Sequence, residues 1–361
     1  MSRAALLPLA LASALALSAC GSDGGDDAGS SASASAIECE TGTIKASGSS
    51  AQKNAITEWI NTYQTECTGA TIEYSPSGSG AGIQDFINNQ TAFAGSDSVL
   101  KPEEQTAADA RCATGKAVNL PMVVGPIAVA YNLTGVDKIV LDADTIAGIF
   151  ANTITKWNDP KIADLNSGVT LPDATIAQFH RSDSSGTTDN FTKYLTATAP
   201  SVWTFGASKE WKAPGGQGAK GSDGVASALK TTPNSIGYVE YSFTQEGGLG
   251  VAEVDTGSGA VELTPETAGN ALAAATVVGT GNDVTLKLDY ATDAPDTYPI
   301  VLVTYEITCE KGLSATDLAL TKSFLTYTAS DDGQELLADL GYGPLPDEIK
   351  SKVQDSVAAI S

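Results

Sequence analysis

The amino-acid sequence predicts an α/β fold of two lobes, and three features lead to this expectation. From residue 44 onward, strand-like runs alternate with helical ones through turns rich in Gly and Ser, a rhythm typical of a mainly parallel sheet covered by helices. Two long apolar runs, Val123–Asn132 and Ile300–Ile307, could carry the chain into a second lobe and back. About 325 residues follow the N-terminal segments, which suits two domains better than one core.

The chain begins with the composition of an export signal. Residues 1–19 hold a single charge, Arg3, ahead of an apolar run that is too short to span a membrane. The small residues before Cys20 resemble a bacterial lipobox, which predicts cleavage before Cys20 and attachment of diacylglycerol to its sulfur. An ordinary signal peptidase site is the alternative. Residues 20–36 carry no bulky apolar side chain, so we expect them to form a flexible tether.

The first lobe is predicted from strand, turn and helix units in sequence. Ile44–Ala46 is strand-like, and apolar side chains then recur at helical spacing from Ala55 to Tyr63. Thr71–Tyr74 is the next strand before a Gly/Ser turn and a helix, and Phe93–Asp97 is the third. Ligands of such sheets bind beyond the carboxyl ends of the strands, where these turns lie.

The two apolar runs divide the rest of the chain between the lobes. We expect residues 37–125 and 305–361 to form domain I and residues 126–304 to form domain II, joined by a two-strand hinge as in a clamshell. Two passively adjacent domains are the alternative. Further elements are expected at 142–150, 175–179, 235–240, 315–327 and 334–340.

Four cysteines remain if Cys20 carries lipid. They stand at positions 39, 67, 112 and 309, and an even number in an exported chain favours two disulfides. Three pairings are possible, of which we favour Cys39–Cys67 with Cys112–Cys309.

The charge of the chain excludes several classes of partner. With 20 Lys and Arg against 43 Asp and Glu, the formal net charge is −23, which argues against nucleic acid and anionic headgroups. An anion site in such a chain must work through directed hydrogen bonds inside a cleft. His180 is the only histidine, so no His-based metal cluster is possible, and we expect neither metal nor cofactor.

The segment HRSDSSGTT at 180–188 has the composition of a small-oxyanion site. Arg181 follows a strand-like run, and Ser185, Gly186 and Thr187 stand where a helix would begin. Free helix-start N–H groups, short hydroxyls and a guanidinium all donate hydrogen bonds to oxyanions. A capped helix beside a surface ion pair is the alternative interpretation.

An ordered set of segments resembles the PstS-type phosphate-binding proteins, which are periplasmic-binding-protein-like subunits of phosphate importers. The resemblance runs from about residue 44 to the C-terminal helix, nearly the whole mature chain. It rests on GSS at 48–50, GSGAGI at 78–83, FAGSD at 93–97, PMVVGPIAVAYNL at 121–133, IAGIFANTITKWNDPKIADLNSGVTLP at 146–172, HRSDSSGTT at 180–188 and SIGYVEY at 235–241.

The resemblance implies a set of phosphate contacts, with Asp183 holding the Arg181 guanidinium from behind. Ser50-Ala51 stands where the family often has Thr-Phe, so Ala51 would contribute only its amide. The implied phosphate ligands are Ser50, Ala51, Ser79, Asp97, Arg181, Ser185, Gly186 and Thr187.

Asp97 suits this ligand because phosphate keeps a proton near neutral pH and can donate it to a carboxylate. Sulfate has no such proton, so an unpaired acceptor would reject it. A helix-capping role is the alternative for Asp97.

The resemblance further implies a lipid-anchored, monomeric binding protein on the extracytoplasmic face of the cell membrane, which delivers phosphate to an ABC permease and is not an enzyme. Three alternatives stay open. They are a phosphate-ester hydrolase using Ser185 and His180, a receptor or adhesin, and a carrier of another oxyanion.

Overall fold

The computed structural model describes residues 37–245 and 247–361, so the predicted signal peptide, Cys20 and the tether lie outside the described residues. The strands are β1 (Gly42–Gly48), β2 (Ala70–Ser75), β3 (Phe93–Ser96), β4 (Ala117–Asn132), β5 (Val140–Asp142), β6 (Ala177–Arg181), β7 (Gln217–Ala219), β8 (Ser235–Glu240), β9 (Gly250–Val251), β10 (Glu253–Asp255), β11 (Ala260–Val261), β12 (Thr276–Val277), β13 (Leu286–Lys287) and β14 (Val301–Cys309). The helices are α1 (Lys53–Glu66), α2 (Ser79–Ile87), α3 (Pro102–Arg111), α4 (Ala143–Phe150), α5 (Pro160–Leu165), α6 (Gly186–Thr198), α7 (Gly221–Thr231), α8 (Pro265–Ala273), α9 (Ala315–Thr328), α10 (Asp331–Asp339) and α11 (Asp347–Ala358), with a 3₁₀ turn at Tyr241–Thr244. Within the described ranges, none of these helices is both long and apolar enough to cross a membrane.

One curled sheet of nine strands organises the molecule. Its order is β2-β1-β3-β14-β4-β8-β6-β7, with β9 paired to β4. The outer groups are parallel, because β1 pairs in parallel with β2 and β3, and β6 pairs in parallel with β7 and β8. Strands β4 and β14 run antiparallel to each other between these groups. The predicted α/β fold is confirmed.

The two predicted apolar crossings are the central strands of this sheet. The first half of β4 pairs with β14, and its second half, from Ile127, pairs with β8. Every residue of β14 and all but the last of β4 are buried. A strand that is buried on both faces has no side turned to solvent, which explains why both runs are mostly apolar.

Two clusters of buried side chains lie at the two ends of the sheet. We call the elements around Trp59, Phe93 and Phe324 the first lobe, and those around Phe150 and Phe191 the second lobe. The two-lobe architecture is therefore visible in the core. The exact predicted boundaries stay a prediction, and part of the range assigned to domain II packs on the first lobe through Leu272, Val284 and Leu286.

Both favoured disulfides are present. Cys39–Cys67 joins the segment before β1 to the residue that ends α1, and Cys112–Cys309 joins the residue that ends α3 to the last residue of β14. Both bridges lie in the first lobe, away from the turns that face the second lobe.

Candidate functional site

The predicted site residues lie where the turns of the two lobes meet. Ser50 and Ala51 follow β1, Ser79 begins α2, and Asp97 follows β3, all from the first lobe. Arg181 ends β6 in the second lobe, and Ser185, Gly186 and Thr187 form the start of α6. All eight residues are buried. Each parallel strand thus delivers its following turn to the same cleft, as expected for an open α/β sheet.

Ser79 ties the two lobes together with one hydroxyl. Its Oγ accepts hydrogen bonds from the backbone N–H of Asp97 and from that of Gly186, each at 3.1 Å. The same hydroxyl donates to Asp97 Oδ2 at 3.3 Å. A single side chain therefore fixes the distance between the Asp97 turn and the first residue of α6.

Asp97 is a buried carboxylate surrounded by hydroxyl donors. Thr304 Oγ1 donates to its Oδ1 at 2.8 Å, and Thr187 Oγ1 lies 3.5 Å from its Oδ2. Burial raises the pKa of Asp97, while hydrogen bonds from Ser49 and Thr304 and the charge of Arg181 oppose that rise. The carboxylate is thus desolvated yet held as an acceptor that faces α6.

Arg181 is held flat by Asp183. Arg181 Nε donates to Asp183 Oδ1 at 2.8 Å and Nη2 donates to Oδ2 at 2.5 Å, so Asp183 holds the guanidinium from behind, as the resemblance implies. Nη1 donates to Thr187 Oγ1 at 3.3 Å, so the free edge of the guanidinium is directed at the start of α6. Burial alone would raise the pKa of Asp183, but hydrogen bonding and charge from Arg181 lower it overall.

The start of α6 is ordered by Ser185. Its Oγ accepts from the Thr188 N–H at 3.2 Å, the usual bond of an N-cap serine, and its own N–H donates to Lys209 O at 2.9 Å. Gly186 sits directly against the first lobe, since a Cβ there would lie 2.5 Å from the Cβ of Asp97. Only glycine lets α6 approach this closely.

Ser50 and Ala51 form a second, adjoining group of contacts. Ser50 Oγ accepts from the Ser222 N–H at 3.0 Å and lies 3.2 Å from Ser222 Oγ, again across the two lobes. The Ala51 N–H donates to Ser49 Oγ at 3.1 Å, and the Ala51 methyl packs into the core of the second lobe. The small residue in place of the family's Phe thus lies at the contact between the lobes.

His180 and Ser185 are each engaged elsewhere. The His180 ring stacks on Trp211 with centroids 4.8 Å apart, and its Nδ1 lies 2.9 Å from the Arg181 carbonyl oxygen. Burial lowers the pKa of His180. Ser185 Oγ caps α6, so the hydrogen-bond partners of Ser185 and His180 lie in different contacts. No group of three or more potential metal ligands occurs in the described ranges.

Comparison with known proteins places the chain in a family. A model described as the PBP superfamily domain matches residues 33–332. The phosphate-binding protein PstS 3 of Mycobacterium tuberculosis is 46% identical over 359 residues, which cover 97% of this chain and 96% of that protein. The chain belongs to the PstS family. A more distant member, the phosphate-binding protein PstS of Pasteurella multocida, is 31% identical over 326 residues, covering 88% of this chain and 91% of that protein.

Solved structures of similar fold include two with bound phosphate. One is the high-affinity periplasmic phosphate-binding protein PfluDING, with a TM-score of 0.72 and 23% identity over 87% of this chain and 93% of that one. The other is a putative phosphate ABC transporter substrate-binding protein from Clostridium perfringens, with a TM-score of 0.62 and 21% identity over 84% of this chain and 100% of that one. At this identity the likeness shows that the PstS-family chain shares their fold.

The structure adds residues that sequence reasoning missed. Ser49 and Thr304 bond Asp97, Ser222 bonds Ser50, and Asn190 bonds the backbone of both lobes. Two signals were available: Ser49 lies in the GSS motif at 48–50, and Thr304 is a polar residue within a mostly apolar strand. The others lie in segments whose polar residues look like ordinary helix surface or turn positions.

A further carboxylate, Glu306, is buried behind the Asp97 turn. It pairs across β14 and β3 with Gly95, whose missing side chain leaves space for Gln52. In the described part of the chain, neither oxygen of Glu306 makes a hydrogen bond of good geometry. Burial raises its pKa to about 8, and the nearby Gln52 amide opposes the rise. A carboxyl group in this position is therefore largely protonated at neutral pH.

Proposed function

We propose that this PstS-family chain captures inorganic phosphate, as the mono- or dianion, between its two lobes and delivers it to the membrane-embedded permease of an ABC transporter. The observation that carries the proposal is the buried Asp97 carboxylate, which faces the Arg181 edge and the hydroxyls of Ser79 and Thr187. A carboxylate that accepts a hydrogen bond, surrounded by groups that donate them, suits an anion that still carries a proton.

The charges of the site support phosphate over a fully ionised oxyanion. Arg181 is already neutralised by Asp183, so Asp97 leaves the cluster of these three side chains with a net negative charge. An unpaired like charge in a dry cleft costs several kcal/mol. Phosphate avoids this cost by donating its O–H to Asp97, whereas sulfate has no proton to donate.

The residues proposed as direct ligands are those that the sequence implied. They are Ser50, Ala51, Ser79, Asp97, Arg181, Ser185, Gly186 and Thr187, with Asp183 as the support of Arg181. These groups now make hydrogen bonds to one another, and the same donors and acceptors would bond a bound anion. Asp97 would accept from the ligand, and the others would donate to it.

The names of the relatives support the transport role. The relatives from Mycobacterium tuberculosis and Pasteurella multocida are phosphate-binding proteins by name, and the Clostridium perfringens protein is described as belonging to a phosphate ABC transporter. We infer that the chain works as a monomer and is a carrier without catalytic activity. Absence of hydrolysis of a chromogenic phosphate ester by the purified protein tests the latter, and turnover would contradict it.

We also infer that Cys20 anchors the protein to the extracytoplasmic face of the membrane. Two acyl chains suffice for stable anchoring where one is marginal. Cys20→Ala should release the protein from the membrane fraction, and a variant that stays there quantitatively would contradict the anchor.

The decisive experiment is calorimetric titration of the purified mature protein with phosphate and then with sulfate. We expect one phosphate per chain, and sulfate bound far more weakly. Stoichiometric binding of sulfate with equal affinity would reject phosphate selectivity, and no binding of either anion would favour a receptor or adhesin.

A further inference from the structure

Beside the proposed anion site, the first turn of α6 makes a second set of contacts with the loop that carries Asp97. Asn190 Nδ2 donates to the Asp97 backbone carbonyl at 2.6 Å and to the Gly186 carbonyl at 2.8 Å. Next to it, Ser98 Oγ donates to Asp189 Oδ2 at 2.6 Å. We call these three bonds the Asn190 latch.

The latch joins the two lobes without using the groups proposed to bind the anion, because Asn190 bonds the backbone carbonyl of Asp97 and not its carboxylate. Asp97 and Ser98 belong to the first lobe, whereas Asp189 and Asn190 belong to α6 in the second. Asn190 is buried, so its amide hydrogens have no access to bulk water in this closed arrangement. Separating the lobes breaks the Asn190 bond to Asp97 and the Ser98 bond to Asp189, while the bond to Gly186 stays within α6.

Tyr290 fixes the direction of the Asn190 amide. Its hydroxyl donates a short hydrogen bond to Asn190 Oδ1, which leaves Nδ2 as the atom that faces the two carbonyl groups. Without that donor the amide could rotate and present its oxygen to them. The Tyr290 ring packs against the second lobe, so it holds the Asn190 amide from the same lobe. The chain just before it is attached to the first lobe, where Leu286 N donates to Tyr305 OH at 3.1 Å.

We propose that Asn190, oriented by Tyr290, is a positioning residue that holds the lobes closed and thereby sets the rate at which bound phosphate is released. The proposal rests on the proposed function, since it assigns a kinetic role within phosphate capture. Neither side chain is among the proposed ligands. The latch forms only after the lobes meet, so its loss acts on release and leaves the encounter with phosphate unchanged.

The test compares three single variants with the parent. Tyr290→Phe removes one hydroxyl and frees the amide, and Asn190→Asp replaces the donor by an oxygen that faces two carbonyl oxygens. Lys53→Ala is the matched control, because its ion pair with Asp223 also crosses the lobes but is solvent-exposed and worth little. The dissociation rate is measured by chasing bound radiolabelled phosphate with unlabelled phosphate, and equilibrium dialysis gives the affinity, from which the association rate follows.

We expect Tyr290→Phe to raise the dissociation rate about 3-fold to 10-fold, the effect of one buried hydrogen bond, and Asn190→Asp to raise it further. Association rates should change less than about 3-fold, within the range usual for variants of one site. Thermal stability of phosphate-free Tyr290→Phe should stay close to that of the parent, whereas a merely structural role would lower it. Asn190→Asp is not held to this criterion, because its bond to the Gly186 carbonyl lies within α6.

The outcomes separate the latch from the proposed function. If the parent fails to bind phosphate in the dialysis, the proposed function is wrong. If the parent binds and Tyr290→Phe dissociates at the parental rate, the latch is wrong even when Asn190→Asp fails to fold. A change confined to the association rate, or an equal effect of Lys53→Ala, would overturn the latch as well.

Discussion

Replacing Asp97 by Asn removes a buried negative charge from the proposed site while leaving the size of the side chain unchanged. The carboxylate is only 3% exposed, so water screens it little. An amide at this position keeps an oxygen that can accept from Thr304, whose hydroxyl now bonds Oδ1 at 2.8 Å. Its nitrogen, in place of Oδ2, becomes a donor that faces the ligand side.

The two anions should respond differently to this change. Phosphate loses the acceptor for its proton, a cost of about 1 kcal/mol for one hydrogen bond. Sulfate loses a like-charge contact, and two unit charges 4 Å apart repel by about 4 kcal/mol at an effective dielectric constant near 20. Arg181 and the hydroxyl donors offset part of that repulsion in the parent protein. We therefore expect the ratio of sulfate to phosphate affinity to rise at least 10-fold, about 1.4 kcal/mol.

Calorimetric titration of parent and variant with both anions measures the ratio directly. Asp183→Asn is the matched control, because both oxygens of Asp183 bond Arg181 and it should alter both affinities alike. If Asp97→Asn discriminates between the anions as sharply as the parent, the carboxylate does not select for the proton. Selectivity would then come from the geometry of the hydroxyl donors.

Three further substitutions test other parts of the site. Arg181→Lys should keep the fold and lose about 1–3 kcal/mol of phosphate affinity, because an ammonium cannot reproduce the bidentate fork. Gly186→Ala should lower phosphate affinity at least 10-fold, about 1.4 kcal/mol, since its Cβ would lie 2.5 Å from a Cβ of the facing lobe. Glu306→Gln should make the unfolding free energy fall less between pH 5 and pH 8, because burial raises the pKa of Glu306 to about 8. Burial raises the pKa of Glu240 to the same value, and the variant keeps that residue.

The sign of the pH effect follows from proton linkage. A carboxyl group whose folded pKa is raised binds more protons in the native state, so its stabilising contribution is complete below about pH 4.5 and is lost as pH rises through 8. Urea unfolding of parent and variant at several pH values measures the difference. If the unfolding free energy of the parent falls no more steeply over this window than that of Glu306→Gln, Glu306 is not protonated in the folded state.

Controls separate loss of binding from loss of fold. Gly224→Ala, in α7, is the counterpart of Gly186→Ala because the nearest atom to its Cβ would lie at an ordinary 3.6 Å, so phosphate affinity should stay unchanged. Titration of Gly186→Ala with parental affinity would mean that the lobes need not approach so closely. Unchanged affinity of Arg181→Lys would remove Arg181 from the site.

The elements that sequence analysis predicted best are those with strong local patterns. The β4 and β14 crossings are buried along nearly their whole length, and their mostly apolar composition follows from that burial. The short strands β10 to β13 escaped prediction because two or three residues cannot show a period of two. Packing of residues 272–286 onto the first lobe was equally hidden, since the partners lie far away in the chain.

Sequence reasoning could group candidate site residues where they lie in one continuous segment. Arg181, Asp183 and the start of α6 lie within seven consecutive residues, and their mutual bonds follow from local geometry. The roles of Asn190 and Thr304 could not be predicted in this way. Each bonds Asp97, which lies about a hundred or more residues away in the chain and is brought close only by folding. Before the fold was known, the separate turns were linked only by the strand-end rule for α/β sheets and by the family resemblance.

The net charge of the chain and the burial of the site suggest that binding and slow release of the anion depend on different side chains. A chain with a formal charge of −23 repels phosphate at long range, so its field cannot accelerate the encounter. Affinity for the anion must then come from short, directed bonds and from slow release. The start of α6 serves both needs, because Gly186 and Thr187 face the proposed ligand while Asn190, one turn later, holds the Asp97 loop in place. Capture and retention are therefore expected to depend on different side chains of the same helix.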